Sequence, residues 1–83
     1  MAYEDDFARI VSLIRPLWQS ALLTPIDEHT DLFDLGADSL LAMTVMIEIN
    51  GLGYDLPRTA VFDHPTLNRL AAALLESRSE AAA

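Results

Sequence analysis

The sequence predicts an all-α fold, a small four-helix bundle of three main helices and one short one, on three observations. Apolar side chains recur at spacings of three and four along most of the chain, the mark of helices with one buried face. No stretch alternates apolar and polar residues as a half-buried strand would. The 83 residues include no cysteine, so neither disulfides nor cysteine metal sites can replace packing as the source of stability. A chain of this length is expected to form one domain and to bury only about 60–65% of its unfolded surface, which demands a small, well-filled core. The domain is expected to take in residues 1–83, with its core over about 7–76.

The first helix is expected over residues 3–23, where Phe7, Ile10, Val11, Ile14, Leu17, Trp18, Ala21 and Leu22 form one stripe. Pro16 cannot donate to the Ser12 carbonyl and crowds that turn. The stripe nevertheless keeps phase across Pro16, which predicts one kinked helix rather than two. Thr24-Pro25 ends it. Residues 24–38 then form a connection long enough to suggest a function or a structured loop. Ile26, Leu32, Phe33 and Leu35 are its apolar anchors, and Thr30-Asp31 is suited to start a helical turn around residues 31–35.

The second helix runs from Ser39 to Asn50, and only Thr44 and Glu48 interrupt the apolar run from Leu40 to Ile49. Those two lie one turn apart and draw a single polar line. At about 100° per residue, Ala42, Val45, Met46 and Ile49 fall opposite that line and face the core, while Leu40, Met43 and Ile47 lie along its flank. Either neighbouring helices cover both sides, or the flank of Leu40, Met43, Thr44 and Ile47 docks a partner.

Gly51 suits a left-handed cap at the end of this helix. A short segment, Arg58 to Phe62, depends on Val61 and Phe62 pointing inward, and Pro65 blocks its continuation. Thr66 caps a last helix with Leu67, Leu70, Ala71, Leu74 and Leu75 inward, running to about Ser77. The tail over residues 79–83 is expected to be flexible.

Thirteen acidic residues against five arginines give a net charge of −8. Nucleic acid and anionic membranes would repel such a chain, whereas basic protein surfaces would attract it; the charge also serves solubility. No apolar run approaches the roughly 20 residues needed to span a bilayer, and no basic segment leads into an apolar one at the start. A cytoplasmic, monomeric protein is expected.

The candidate site is Asp34-Leu35-Gly36-Ala37-Asp38-Ser39-Leu40, where the long loop meets the second helix. Gly36 supplies a position that tolerates positive φ or a close approach, and Asp38 is a strong N-cap candidate. The Ser39 hydroxyl then projects at the helix N-terminus, where unpaired N–H groups and the macrodipole favour a phosphate ester. Catalysis is not expected. His29 and His64 do not stand at metal-ligand spacing, and no Gly-x-Ser-x-Gly elbow surrounds Ser39.

Leu35-Gly36-Ala37-Asp38-Ser39-Leu40, the apolar helix, Leu56-Pro57-x-Thr59, Val61-Phe62-Asp63-His64-Pro65-Thr66-Leu67 and Leu70-Ala71 together resemble the acyl and peptidyl carrier proteins of polyketide and nonribosomal peptide biosynthesis. The Phe62-Asp63-His64-Pro65-Thr66 segment is most similar to polyketide synthase carriers. Two features depart from the pattern: the second helix lacks the arginines frequent in modular polyketide carriers, and Pro16 is unusual. The resemblance implies a bundle of acyl-carrier type and 4′-phosphopantetheine, received from coenzyme A on Ser39 through a Mg²⁺-dependent phosphopantetheinyl transferase. Asp38 would assist metal or transferase engagement, with Gly36 and Leu40 completing the cofactor site. It further implies a non-catalytic carrier of polyketide-type acyl thioesters, served by an acyltransferase, a ketosynthase and tailoring enzymes. The alternative within the family is a peptidyl or aryl carrier served by an adenylating enzyme and a condensing enzyme; outside it stands a helical adaptor without covalent modification. The chain limits fit a free-standing carrier or an excised domain.

Overall fold

A computed structural model describes residues 2–82, with side chains for residues 5–77. Four helices follow in order, α1 (Ala2–Leu22), α2 (Ser39–Asn50), α3 (Ala60–Asp63) and α4 (Leu67–Ala82), with no strand among the described residues. α1 lies mainly along α4 and also against α2, and α3 rests on α2. Ile10, Ile14 and Trp18 of α1 are sealed from solvent with Met46 and Ile49 of α2 and Leu70 and Leu74 of α4.

α1 passes unbroken through Pro16. Ser12 and Pro16 both lie on its exposed side, so water can take the hydrogen bond that Pro16 cannot donate to the Ser12 carbonyl. The helix stops at Leu23, which adopts φ +58° while its N–H donates to the Gln19 carbonyl at 2.8 Å. A leucine thus fills a left-handed position that usually goes to glycine.

The 24–38 loop is tied down at several points. Ile26 and Leu32 are buried. The Arg15 guanidinium donates to the Ile26 carbonyl at 3.0 Å and forms an ion pair with Glu28. The N–H of Asn68 donates to the Glu28 carbonyl at 3.1 Å, and that of Leu32 to the Pro65 carbonyl at 2.8 Å. The expected helical turn is present over residues 32–36.

On α2, Ala42, Val45, Met46 and Ile49 are the buried residues, as the periodicity requires. On α4, Leu67, Leu70, Ala71, Leu74 and Leu75 are buried, and the Thr66 hydroxyl accepts the Arg69 N–H at 3.1 Å.

Four expectations need correction. Gly51 does not take a left-handed cap: it stays right-handed at φ −63°, and Gly53 adopts φ +110° two residues later. The last turn of α2 instead tightens through Leu52 N–H to Ile49 and Gly53 N–H to Asn50, which postpones the reversal. The short helix begins at Ala60 rather than Arg58, since Ala60 N–H closes a turn onto Pro57 before the helix starts. Phe62 is not inward. Ala60 and Val61 fill the core, while Phe62 stays 43% exposed and stacks on Phe33. Finally, α4 continues past Ser77 to Ala82, because nothing after Leu75 breaks a helix; Ala83, the end of the expected flexible tail, lies outside the described residues.

Candidate functional site

The turn before α2 is assembled from short-range bonds. Asp31 Oδ1 accepts the Phe33 N–H at 2.8 Å, and the N–H groups of Asp34, Leu35 and Gly36 donate three residues back to Asp31, Leu32 and Phe33. Gly36 adopts φ +111°, with no atom within 4 Å of where a Cβ would stand; the backbone angle, not crowding, demands glycine here. Ala37 is buried, and its N–H donates to the Leu32 carbonyl at 3.3 Å.

Asp38 is extended, and its Oδ1 accepts the Leu41 N–H at 2.8 Å while its carbonyl accepts the Ala42 N–H at 2.9 Å. This leaves the amides of Ser39 and Leu40 at the open, electropositive end of α2. Ser39 is the first residue of α2 and is exposed. A phosphodiester on its hydroxyl would meet a free approach and a favourable dipole, so these residues fit a phosphopantetheine arm.

The flank predicted on α2 is open. Leu40 is 73% and Ile47 54% exposed, while Met43 is half-buried. Thr44 is exposed, but its hydroxyl already donates to the Leu40 carbonyl at 2.8 Å. The flank is therefore mainly apolar, with Glu48 as its charged edge.

Among the five acids of the 24–38 loop, Asp27, Asp31 and Asp38 each accept a nearby backbone N–H, and Glu28 pairs with Arg15. The Arg15 hydrogen bond holds the Glu28 carboxyl below its ordinary pKa of 4.5. These carboxylates shape the loop as well as charging it.

Among the described residues, grooves open on the surface at places that Ser39 does not line. One of about 340 Å³ lies between α1 and the long loop beside Val11, Arg15 and Asn68; another of about 360 Å³ lies among Leu13, Leu52, Gly53 and Tyr54. His64 closes the end of α3, its N–H donating to Ala60, and His29 Nδ1 stands 3.4 Å from Asn68 Nδ2. No helix among the described residues is long and apolar enough to cross a membrane.

The residues that periodicity could not pair are Arg15 with Glu28, Asn50 with Leu56 and Phe33 with Phe62. Each links residues on different turns or loops, and the only sequence signal was the residue type itself.

Comparison with known proteins bears on the same turn. Residues 12–74 match the family described as the phosphopantetheine attachment site. Tyrocidine synthase 3 of Brevibacillus parabrevis is 41% identical over 95% of this chain, and malpinin synthetase of Mortierella alpina 34% identical over 94%. The chain spans about 1% of the length of either. Among solved structures, a free-standing peptidyl carrier protein from an uncharacterized secondary metabolic pathway of Acinetobacter baumannii superimposes with a TM-score of 0.79 at 29% identity, covering 86% of this chain and 94% of that one. An A1-type ACP domain from module 5 of MLSA1 gives a TM-score of 0.80 at 32% identity, covering 89% and 79%. With a match over most of its length and the capped serine turn inside that match, the chain belongs to the phosphopantetheine attachment site family, the carrier domains of nonribosomal peptide and polyketide synthesis that hold a covalent 4′-phosphopantetheine.

Proposed function

We propose that this chain is a peptidyl carrier that bears aminoacyl or peptidyl thioesters on a 4′-phosphopantetheine arm joined to Ser39. The observation that carries the reading is the exposed Ser39 hydroxyl at the open end of α2, directly after the Asp38 cap and inside the family match. Ser39 gives up its hydroxyl proton, and its Oγ bonds to phosphorus as adenosine 3′,5′-bisphosphate leaves coenzyme A. The electropositive end of α2 favours the phosphodiester anion that results. The arm supplies the thiol that a cysteine-free chain lacks. Asp38 fixes the helix start and stands beside the serine for metal or transferase engagement, and Gly36 provides the turn.

Leu40, Met43, Thr44 and Ile47 present the surface that the transferase and the synthetase partners grip. Exposed leucine and isoleucine supply contact area, and the surrounding acidic field favours basic partners. The chain itself performs no catalysis; it is a monomeric, cytoplasmic substrate of a loading enzyme and then of condensing and tailoring enzymes, with its carrier unit over about residues 7–76.

The peptide pathway is favoured because the curated relatives reported above are a tyrocidine synthase and a malpinin synthetase. The likeness to an ACP domain supports a second reading, a polyketide-type acyl carrier. Intact mass after incubation with a promiscuous phosphopantetheinyl transferase and coenzyme A tests both. One phosphopantetheine should add to the native chain and none to Ser39→Ala. A gain that survives Ser39→Ala refutes the attachment site, and no gain at all leaves the non-covalent adaptor reading. Offering the loaded chain to an adenylating enzyme or an acyltransferase then separates the two pathways.

A further inference from the structure

Phe33 and Phe62 stack with ring centroids 5.3 Å apart and planes 15° from parallel. Their contact is not needed to fill the core, because α3 is anchored by buried Ala60 and Val61 while Phe62 remains half exposed. It does bridge α3 and the loop that leads into the candidate serine. On the loop side, the carbonyl of Phe33 accepts the N–H of Gly36 at 3.2 Å, and the carbonyl of its neighbour Leu32 accepts that of Ala37 at 3.3 Å. On the other side, Phe62 lies in α3, whose exit holds the loop a second time through the Pro65 carbonyl and the Leu32 N–H. A ring that fixes Phe33 therefore fixes the acceptor of the bond that shapes Gly36, three residues before Ser39.

We propose that Phe62 is a positioning residue for Ser39, acting through its ring stack on Phe33 to hold the turn that presents the serine for modification. The proposal rests on the reading of Ser39 as the modified serine. An aromatic pair contributes enough beyond its burial to change a local equilibrium by roughly three- to tenfold. A turn closed by single backbone hydrogen bonds is the part of the fold such a change affects most.

The test compares Phe62→Ala, Phe33→Ala, the double variant, Phe62→Leu and Phe62→Tyr in two measurements. The first is backbone amide exchange at Gly36 and Ala37 in the unmodified protein without any partner, with buried Leu74 as the control. The second is kcat and KM for loading by a promiscuous transferase with coenzyme A. Exchange at Gly36 and Ala37 should quicken about three- to tenfold in either alanine variant while Leu74 stays protected. Loading should lose kcat and kcat/KM together. The double variant should be no worse than either single one, and Phe62→Tyr should restore both readouts. Phe62→Leu keeps an apolar side chain without the ring and should behave as Phe62→Ala, which keeps the test decisive if the alanine variant folds poorly.

Unchanged exchange at Gly36 and Ala37 overturns the positioning role. A rise in KM with kcat unaltered also overturns it, since Phe62 would then touch the transferase directly. Additive losses in the double variant overturn the stack as the route. Failure of the native chain to load refutes the carrier reading and the reaction half of the proposal together, whereas the exchange measurement judges the positioning half alone.

Discussion

Asn50 grips the backbone of Leu56 with both ends of its side-chain amide: Nδ2 donates to the Leu56 carbonyl at 2.7 Å, and Oδ1 accepts the Leu56 N–H at 3.2 Å. One side chain closes the loop that leaves α2 and sets the entry to α3. Asn50→Ala strips both bonds from partly buried groups and should cost about 1–3 kcal/mol. Asn50→Asp keeps the acceptor but sets a carboxylate against a carbonyl, so it should also destabilise. Chemical denaturation of the three proteins checks this; an alanine variant as stable as the native chain would show that the clamp is incidental.

The two sides of α2 should respond oppositely to substitution. Val45 and Ile49 are buried, so Val45→Ala or Ile49→Ala should cost on the order of 1–4 kcal/mol by lost burial and cavity formation. Ile47→Glu should stay within about 1 kcal/mol, because the new charge remains solvated, whereas Met43→Glu should cost about 1–3 kcal/mol, since Met43 is half-buried. Loading of Ser39 or transfer to a downstream enzyme should nonetheless slow in the glutamate variants, since a partner must desolvate an unpaired carboxylate. Thermal melts and loading rates on the four proteins read both effects. Normal loading by folded glutamate variants would place the partners elsewhere.

Leu23 offers the opposite opportunity. It holds φ +58° while 89% exposed, so its side chain returns little packing for the strained backbone. Leu23→Gly should stabilise the protein by about 0.5–1 kcal/mol, and Leu23→Asn by somewhat less. On a domain of this size that is a rise in Tm of a few degrees, about 2–8 °C. A fall in Tm would mean that Leu23 packs in solution.

The Arg15–Glu28 pair gives stability a pH dependence of known sign. Arg15 lowers the carboxyl of Glu28 in the folded protein, so the unfolded chain binds its proton more readily. The contribution is complete above the ordinary value of 4.5 and is lost as pH falls through the lower folded value. Glu28→Gln should flatten that part of the stability profile below about pH 5 and leave its shape at neutral pH unchanged. Urea melts of both proteins across the acid range decide it.

Much of this fold was legible because helices announce themselves by period. The buried set of α2 followed from 100° steps, and the inner face of α4 from Leu67, Leu70, Ala71, Leu74 and Leu75. Asp38 and Thr66 were legible as caps because a short acceptor before an apolar run has few other uses. Phe62 was misread because a four-residue helix has too little period to show that Val61 and Phe62 cannot both face in. The reversal after α2 was misplaced by two residues because two glycines, at positions 51 and 53, offered the same freedom. The serine turn was legible in its residues; what holds it, Phe33 on Phe62 and Leu32 on Pro65, depends on where a distant segment returns.

Trp18, the only tryptophan in the chain, is sealed in the interior, and its indole N–H has no partner among the described residues. An indole in that setting should fluoresce at short wavelength and shift to the red once solvent reaches it. The bundle thus carries an internal optical gauge of its side-chain packing, independent of the far-ultraviolet circular dichroism that gauges its helices. Heating should move both signals together if the domain unfolds in one step. An indole that reddens while the helical signal persists would expose a loosened, still helical state of the carrier.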